Sequence, residues 1–209
     1  IAKWINGVII NCDSVQIYNE LKIMSARPNF KNYLKKNNYL FGIKSLTQEF
    51  SVGQWLDLLN NSLKDIEKFI KAPILVGGSG MYIDAALNGI SPIPFVKNDL
   101  KKEAEKIIND IGISNFRKFV TSIDRNYSSK NDDKQRLLRA FNVFVSTGQN
   151  MTYWHAKEKL GKVNRKTYIV LITSNRKKIY MNCDNRFDLM MKKGGIEEVK
   201  KIWLKKYSK

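Results

Sequence analysis

The stretch ILVGGSGMY, residues 74–82, decides how this chain folds. Ile74-Leu-Val76 is a short apolar run that follows Pro73 and feeds straight into Gly77-Gly-Ser-Gly80. From Met81 to Asn88 the pattern turns helical, and Gly89 supplies a stop. Strand, glycine turn and helix in that order form the rhythm of parallel-sheet α/β proteins. The glycines suit a ligand, because backbone amides can approach it closely and the helix start adds positive potential for phosphate. They suit a bare tight turn equally well.

Upstream, Trp55, Leu58, Leu59, Leu63, Ile66 and Ile70 recur at steps of three and four, which predicts an amphipathic helix over Val52–Lys71. Gly7–Cys12 (GVIINC) reads as a buried strand and Tyr39–Ile43 as a second. Downstream, Thr167–Ile172 (TYIVLI) reads as another strand. A helix from about Lys178, a break at Gly194-Gly195 and a last helix through Trp203 follow it. Between Pro94 and Arg165 no strand-like run stands out, and the helical segments are rich in Lys and Arg. Asn98–Ile111 looks helical. Asp132 or Asp133 is a natural N-cap for a helix running to Thr147, with Gly148 as its stop. The expected organisation is an α/β core of residues 1–97 and 166–209, carrying a helical, basic insertion of residues 98–165.

The 37 Lys and Arg against 19 Asp and Glu leave a net charge of +18, which favours a polyanionic partner, nucleic acid before membrane. A lysine-rich composition with solvated side chains accounts for the same charge. No apolar run approaches the ~20 residues that span a bilayer, so a soluble protein with no membrane partner is expected. Two cysteines, Cys12 and Cys183, are too few for a disulfide framework or a zinc site, and no signal peptide is visible; the cytoplasm is the default expectation.

Asp13 stands one step past the first strand, where open α/β sheets bind ligands. Its carboxylate can end the strand, cap a helix or take a proton from a substrate. On the Asp133 helix, Gln135 and Arg139 share a face, with Arg136 beside them and Leu137, Leu138, Phe141 and Val145 on the buried side. Such a face can grip phosphates and base edges or simply be solvated. His155, the one histidine, reads as a packing residue beside Trp154, and Tyr18 and Tyr82 read as core more readily than as base-stacking platforms.

Taken in order, these segments resemble the tRNA dimethylallyltransferases, also called tRNA isopentenyltransferases. Ile9-Ile-Asn-Cys-Asp-Ser-Val-Gln-Ile-Tyr18 is similar to that family's I-I-x-x-D-S-x-Q-V-Y, and Ser25-Ala-Arg-Pro28 to T-A-K-P. Phe50-Ser-Val-Gly-Gln54 resembles Y-S-V-x-x-F, and Leu75-Val-Gly-Gly-Ser-Gly-Met-Tyr82 resembles L-V-G-G-T-G-L-Y. Gly89-Ile-Ser-Pro-Ile-Pro94, Asp133-Lys-Gln-Arg-Leu-Leu-Arg-Ala140 and Gly195-Ile-Glu-Glu-Val199 match further signatures.

The resemblance implies a P-loop nucleotide-kinase-like core with a parallel sheet, of the kind that binds ATP, and a helical tRNA-binding insertion. It implies transfer of a dimethylallyl group from dimethylallyl diphosphate to the exocyclic amine of the adenosine 3′ to a tRNA anticodon. Asp13 is then the general base, and Asp13, Ser14, Val15, Gln16, Ser79, Lys101, Gln135, Arg136, Leu137, Leu138 and Arg139 touch tRNA. Mg2+ is the implied cofactor, with ligands unassigned. The implied partners are the tRNA anticodon stem-loop and dimethylallyl diphosphate, and a monomer is expected.

The chain also departs from the family pattern. The family's G-x-x-x-x-G-K-[S/T] loop, about twenty residues before the D-S segment, is missing, and Gly161-Lys162 does not replace it. Asn182 stands where an Arg is usual, and the far end stops before a further family motif. A fragment is therefore expected, inactive or nearly so by itself. The rival readings are a non-catalytic RNA-binding remnant and a small-molecule kinase of the P-loop superfamily.

Overall fold

A computed structural model describes residues 1–30, 35–94, 96, 98–126 and 133–207, which divide into two compact units. The first comprises Ile1–Gly89 and Gly161–Lys209, the second Ile90–Leu160.

In the first unit, β1 (Gly7–Asn11) is the central strand of a three-stranded parallel sheet of order β2-β1-β3. Its neighbours are β2 (Asn38–Tyr39) and β3 (Ala72–Val76). Val8, Ile10 and Asn11 are all buried, as a central strand requires. The β1–β3 ladder runs in register from Gly7 opposite Ala72 to Asn11 opposite Val76. Pro73 is tolerated in β3 because Ala72 N donates to Asn6 O; the nitrogen of the next residue then faces away from β1. Parallel strands of one sheet need a crossover, and α1 (Val52–Lys68) supplies it from β2 to β3. Ser51 and Gln54 form a reciprocal capping box at its start, and Trp55, Leu56, Leu59, Leu63 and Ile66 bury its apolar stripe. α2 (Gly80–Asn88) follows β3, so the strand, turn and helix expected from residues 74–89 are all present.

Three expectations about this unit need correction. The second strand is only Asn38–Tyr39: Leu40 and Gly42 have φ of 63° and 59°, which turns the chain out of the sheet before Ile43. α1 ends at Lys68, and the left-handed Ile70 (φ 52°) redirects the chain into β3. Thr167–Ile172 is not a strand. It has no ladder partner among the described residues, and Tyr168 to Ile172 are exposed. A strand exists only where a neighbour satisfies its amides and carbonyls, however β-prone its side chains. Beyond it lie α7 (Arg176–Lys192) and α8 (Gly195–Tyr207), separated at Gly194, and α8 continues past Trp203.

The second unit is helical: α3 (Asn98–Ile111), α4 (Ile113–Ile123), α5 (Lys134–Thr147) and α6 (Met151–His155). Phe116, Val120, Leu137, Leu138, Val143 and Met151 are central to its core, with Ala104 and Ile108 from α3. Asp133 caps α5 by accepting from Gln135 N and Arg136 N, and the left-handed Gly148 ends it. Buried Asp124 accepts from Thr152 N and Oγ1 at 2.8 and 2.6 Å, which fastens α6 to the end of α4. Paired backbone bonds between Ile90 and Leu160 bring the two ends of the unit together. The compact unit runs from Ile90 to Leu160.

Glycine 77 sits where β3 meets the chain leaving β1. A Cβ there would lie 2.2 Å from both C and O of Cys12, whereas one on Gly78 would meet nothing within 4 Å. Gly77→Ala is expected to cost about 1–3 kcal/mol, as overpacking does. Gly78→Ala, at a φ that alanine accepts, is expected to be neutral or stabilising by under about 1 kcal/mol. Urea unfolding of both variants checks the contrast, and equal losses would contradict it.

Candidate active site

The site is built at the carboxyl end of β1. Asn11, the last residue of the strand, is fully buried and turns its side chain along the chain that follows. Asn11 Nδ2 donates to Asp13 O (2.9 Å) and Leu40 O (3.1 Å), and Asn11 Oδ1 accepts from Asp13 N (3.0 Å). Trp55 Nε1 donates to Asn11 O at 3.1 Å, so α1 holds the same residue from behind. Asp13 is half-buried. Its Oδ1 accepts from Val15 N at 2.8 Å and, more weakly, from Gln16 N at 3.4 Å. Its Oδ2 has no hydrogen-bond partner among the described residues. One oxygen thus caps the turn, and the other is open to an incoming group.

Ser79 precedes α2 yet makes no side-chain cap to its own helix. Its Oγ instead accepts from Ser14 N (2.8 Å) and donates to Ser14 Oγ (3.2 Å), while Ser79 N donates to Cys12 O (3.2 Å). The turn after β3 is thereby tied to the turn after β1. Of its glycines, Gly77 serves that close approach, and Gly78 and Gly80 face open space.

Further bonds fix the rest of the segment. Gln16 Nε2 donates to Ser25 O (3.2 Å), Gly42 N to Gln16 O (2.9 Å), and Arg27 Nη1 to Tyr18 O (2.9 Å). Val15 and Ser14 are exposed and Gln16 is half-buried. Tyr82 is buried and stacked on Trp55 at 4.3 Å between ring centroids, so it packs within the core.

Burial, and secondarily the Asp13 charge, pushes the Cys12 thiol from 9.0 up to about 11. Burial, then Tyr18, Cys12 and Asp13, raises the Tyr82 phenol to about 12. Both stay protonated at neutral pH.

On α5, Gln135, Arg136 and Arg139 are exposed, and Arg136 Nε pairs with Asp133 Oδ2 at 3.2 Å. Burial lowers the Arg139 pKa, but a guanidinium stays charged. Leu137 and Leu138, which the resemblance also placed at the tRNA, are buried in the helical core. Lys101 falls on α3, and its side chain lies outside the described residues. Among the described residues there is no cluster of three or more His, Cys, Asp or Glu that could hold a metal ion. No helix among them is long and apolar enough to cross a membrane. Sequence reasoning missed Asn11 and Arg27 as the residues that shape the site. The signal for Asn11 was a polar residue inside an otherwise apolar strand.

The sequence model of the family described as IPP transferase matches residues 16–209. The chain belongs to the IPP transferase family. It is 36% identical over 205 residues to the tRNA dimethylallyltransferase of Pelagibacter ubique, covering 97% of this chain. It spans 65% of that relative's length. Among solved structures it is similar to the full-length tRNA isopentenylpyrophosphate transferase of Bacillus halodurans, with 26% identity and a TM-score of 0.56. That match covers 97% of this chain and 63% of the other. A eukaryotic dimethylallyltransferase acting on tRNA superposes with a TM-score of 0.76 at 20% identity, over 99% of this chain and 52% of its own, a likeness of fold. The α/β class with a parallel sheet is thus shared with IPP transferases of known structure.

The cysteines give a direct test of the site's interior. At pH 8 the native chain is expected to take up one iodoacetamide, at exposed Cys183, and two once unfolded. Because the folded Cys12 pKa is raised, its contribution to stability is complete below pH 9.0 and is lost as pH rises through about 11. Rapid native labelling of Cys12 at pH 8, read by mass spectrometry, would contradict the burial described.

Proposed function

We propose that this chain carries the adenosine-binding part of a tRNA dimethylallyltransferase. The reaction moves a dimethylallyl group from dimethylallyl diphosphate to the exocyclic N6 amine of the adenosine 3′ to the anticodon. The amine nitrogen forms a bond to C1 of the dimethylallyl group, and the bond from C1 to the diphosphate oxygen breaks. Diphosphate leaves with that electron pair, and the surplus N6 proton passes to Asp13 Oδ2.

The observation that carries the reading is the divided carboxylate of Asp13. An adenine amine is a poor nucleophile, so the step needs a base fixed within hydrogen-bond reach. With Oδ1 committed to the Val15 and Gln16 amides, Oδ2 is held in one direction without being consumed. Family membership and the name borne by the Pelagibacter ubique relative support the substrate class. The net charge of +18 supports a nucleic-acid partner, and exposed Gln135 and Arg139 are the side chains of α5 best suited to it. Reaching Asp13 requires the base to leave its stack, which a loop nucleotide does at low cost. Mg2+, when bound, would neutralise charge on the departing diphosphate. No step here is assigned to it. We place the reaction in the cytoplasm, where tRNA is modified.

In a protein extended to the relatives' full length, Asp13→Asn is expected to slow single-turnover transfer about 10²–10⁴-fold, the usual worth of a positioned base. Its Kd for an anticodon stem-loop is expected to stay within about threefold, because asparagine keeps the size and an acceptor. Transfer at an undiminished rate would refute the assignment.

A further inference from the structure

The motif Gly195-Ile-Glu-Glu-Val199 has so far had no part in the site. Its second glutamate lies on the first turns of α8, about 180 residues from Asp13 in sequence, yet it grips the same region of the unit. Glu198 Oε1 accepts from Lys22 N (2.8 Å) and Ile23 N (2.9 Å). Its Oε2 accepts from Ile23 N (3.1 Å) and Met24 N (2.9 Å). Three successive backbone amides therefore converge on one carboxylate. Such bonds to a charged acceptor are roughly twice as strong as neutral ones.

The gripped turn leads directly to the candidate active site. Ser25, the next residue, offers the carbonyl that accepts from Gln16 Nε2. Arg27 N donates to Lys22 O, and its guanidinium donates to Tyr18 O and Asn19 O. Gln16 in turn donates its own amide to Asp13 Oδ1. A second feature shows that α8 is fitted to this turn. A Cβ on buried Gly195 would lie 2.7 Å from Met24 Sδ and 2.9 Å from Met190 O, so glycine lets the helix come close enough for Glu198 to reach.

We infer that Glu198 is a positioning residue for the segment Asp13–Gln16, acting through the Lys22–Met24 turn. The inference rests on the prenyl-transfer reading for its functional meaning, because that reading is what gives the orientation of Asp13 a purpose. Glu198 touches neither Asp13 nor the open Oδ2 face. It sets how firmly Gln16 and Tyr18 are held, and through them how narrowly the carboxylate is aimed.

Amide hydrogen exchange resolved by residue tests this on the chain itself. Glu198→Ala is expected to speed exchange at least tenfold at Lys22, Ile23 and Met24, and also at Val15 and Gln16, with Ile10 in the central strand unchanged. Glu198→Gln keeps one acceptor oxygen and is expected to restore much of the protection at Val15 and Gln16. A merely local tether would speed exchange at residues 22–24 and leave Val15 and Gln16 as they were, which would overturn the inference. Loss of protection everywhere in Glu198→Gln, including Ile10, would also overturn it, since the residue would then support the fold at large. If Glu198→Ala fails to fold, Glu198→Asp, whose shorter side chain draws the carboxylate back from the three amides, is expected to speed exchange at Lys22–Met24 and at Val15 and Gln16 alike, and faster exchange at residues 22–24 alone would overturn the inference. Failure of the prenyl-transfer reading shows separately, as full-rate transfer by the full-length Asp13→Asn protein.

Discussion

A buried asparagine side chain at the end of the central strand is the contact on which the site depends. Asn11 has no solvent to fall back on, and a buried amide left without partners costs about 1–3 kcal/mol. It is satisfied only if the chain reverses after Cys12, because two of its three side-chain bonds go to the backbone of Asp13. That reversal lifts the Asp13 side chain out of the sheet and leaves its own Oδ1 to cap the next turn. The third bond, to Leu40 O, and the indole of Trp55 on the Asn11 carbonyl lock β2 and α1 to the same point. The fold and the placing of the Asp13 carboxylate are therefore one hydrogen-bond network. The parallel ladder supports it from the other side, where Gly77 allows β3 to come against Cys12.

Much of this was legible in the chain. The β1 strand, α1, the strand–turn–helix around Gly77 to Gly80, and the Asp133 cap and Gly148 stop of α5 follow from apolar periodicity and from side chains that favour particular backbone shapes. Thr167–Ile172 shows the limit of that logic. Its residues prefer strands, but pairing is a property of neighbours, which local sequence does not contain. Leu40 shows another limit, since a left-handed leucine is held by its surroundings and has no local signature. Asp13 could be picked out by its place after a strand. The division of labour between its two oxygens could not, because it depends on amides two and three residues further on. The grip of Glu198 on residues 22–24 spans most of the chain and leaves no periodic trace.

The helical unit separates two roles that lie side by side in the sequence Gln135-Arg-Leu-Leu-Arg139. Helical spacing sends Leu137 and Leu138 into the core with Phe116 and Val143, while Gln135, Arg136 and Arg139 stay in solvent. Arg136 pairs with Asp133 across one turn of the helix.

The account stands or falls on where the free oxygen of Asp13 points once RNA is bound. The most direct measurement is a crystal structure of the chain with an anticodon stem-loop. The account predicts the exocyclic N6 of the adenosine 3′ to the anticodon within about 2.6–3.2 Å of Asp13 Oδ2, with Oδ1 still on the Val15 and Gln16 amides. A complex in which that adenine stays stacked in the RNA, or docks away from the end of β1, would contradict it.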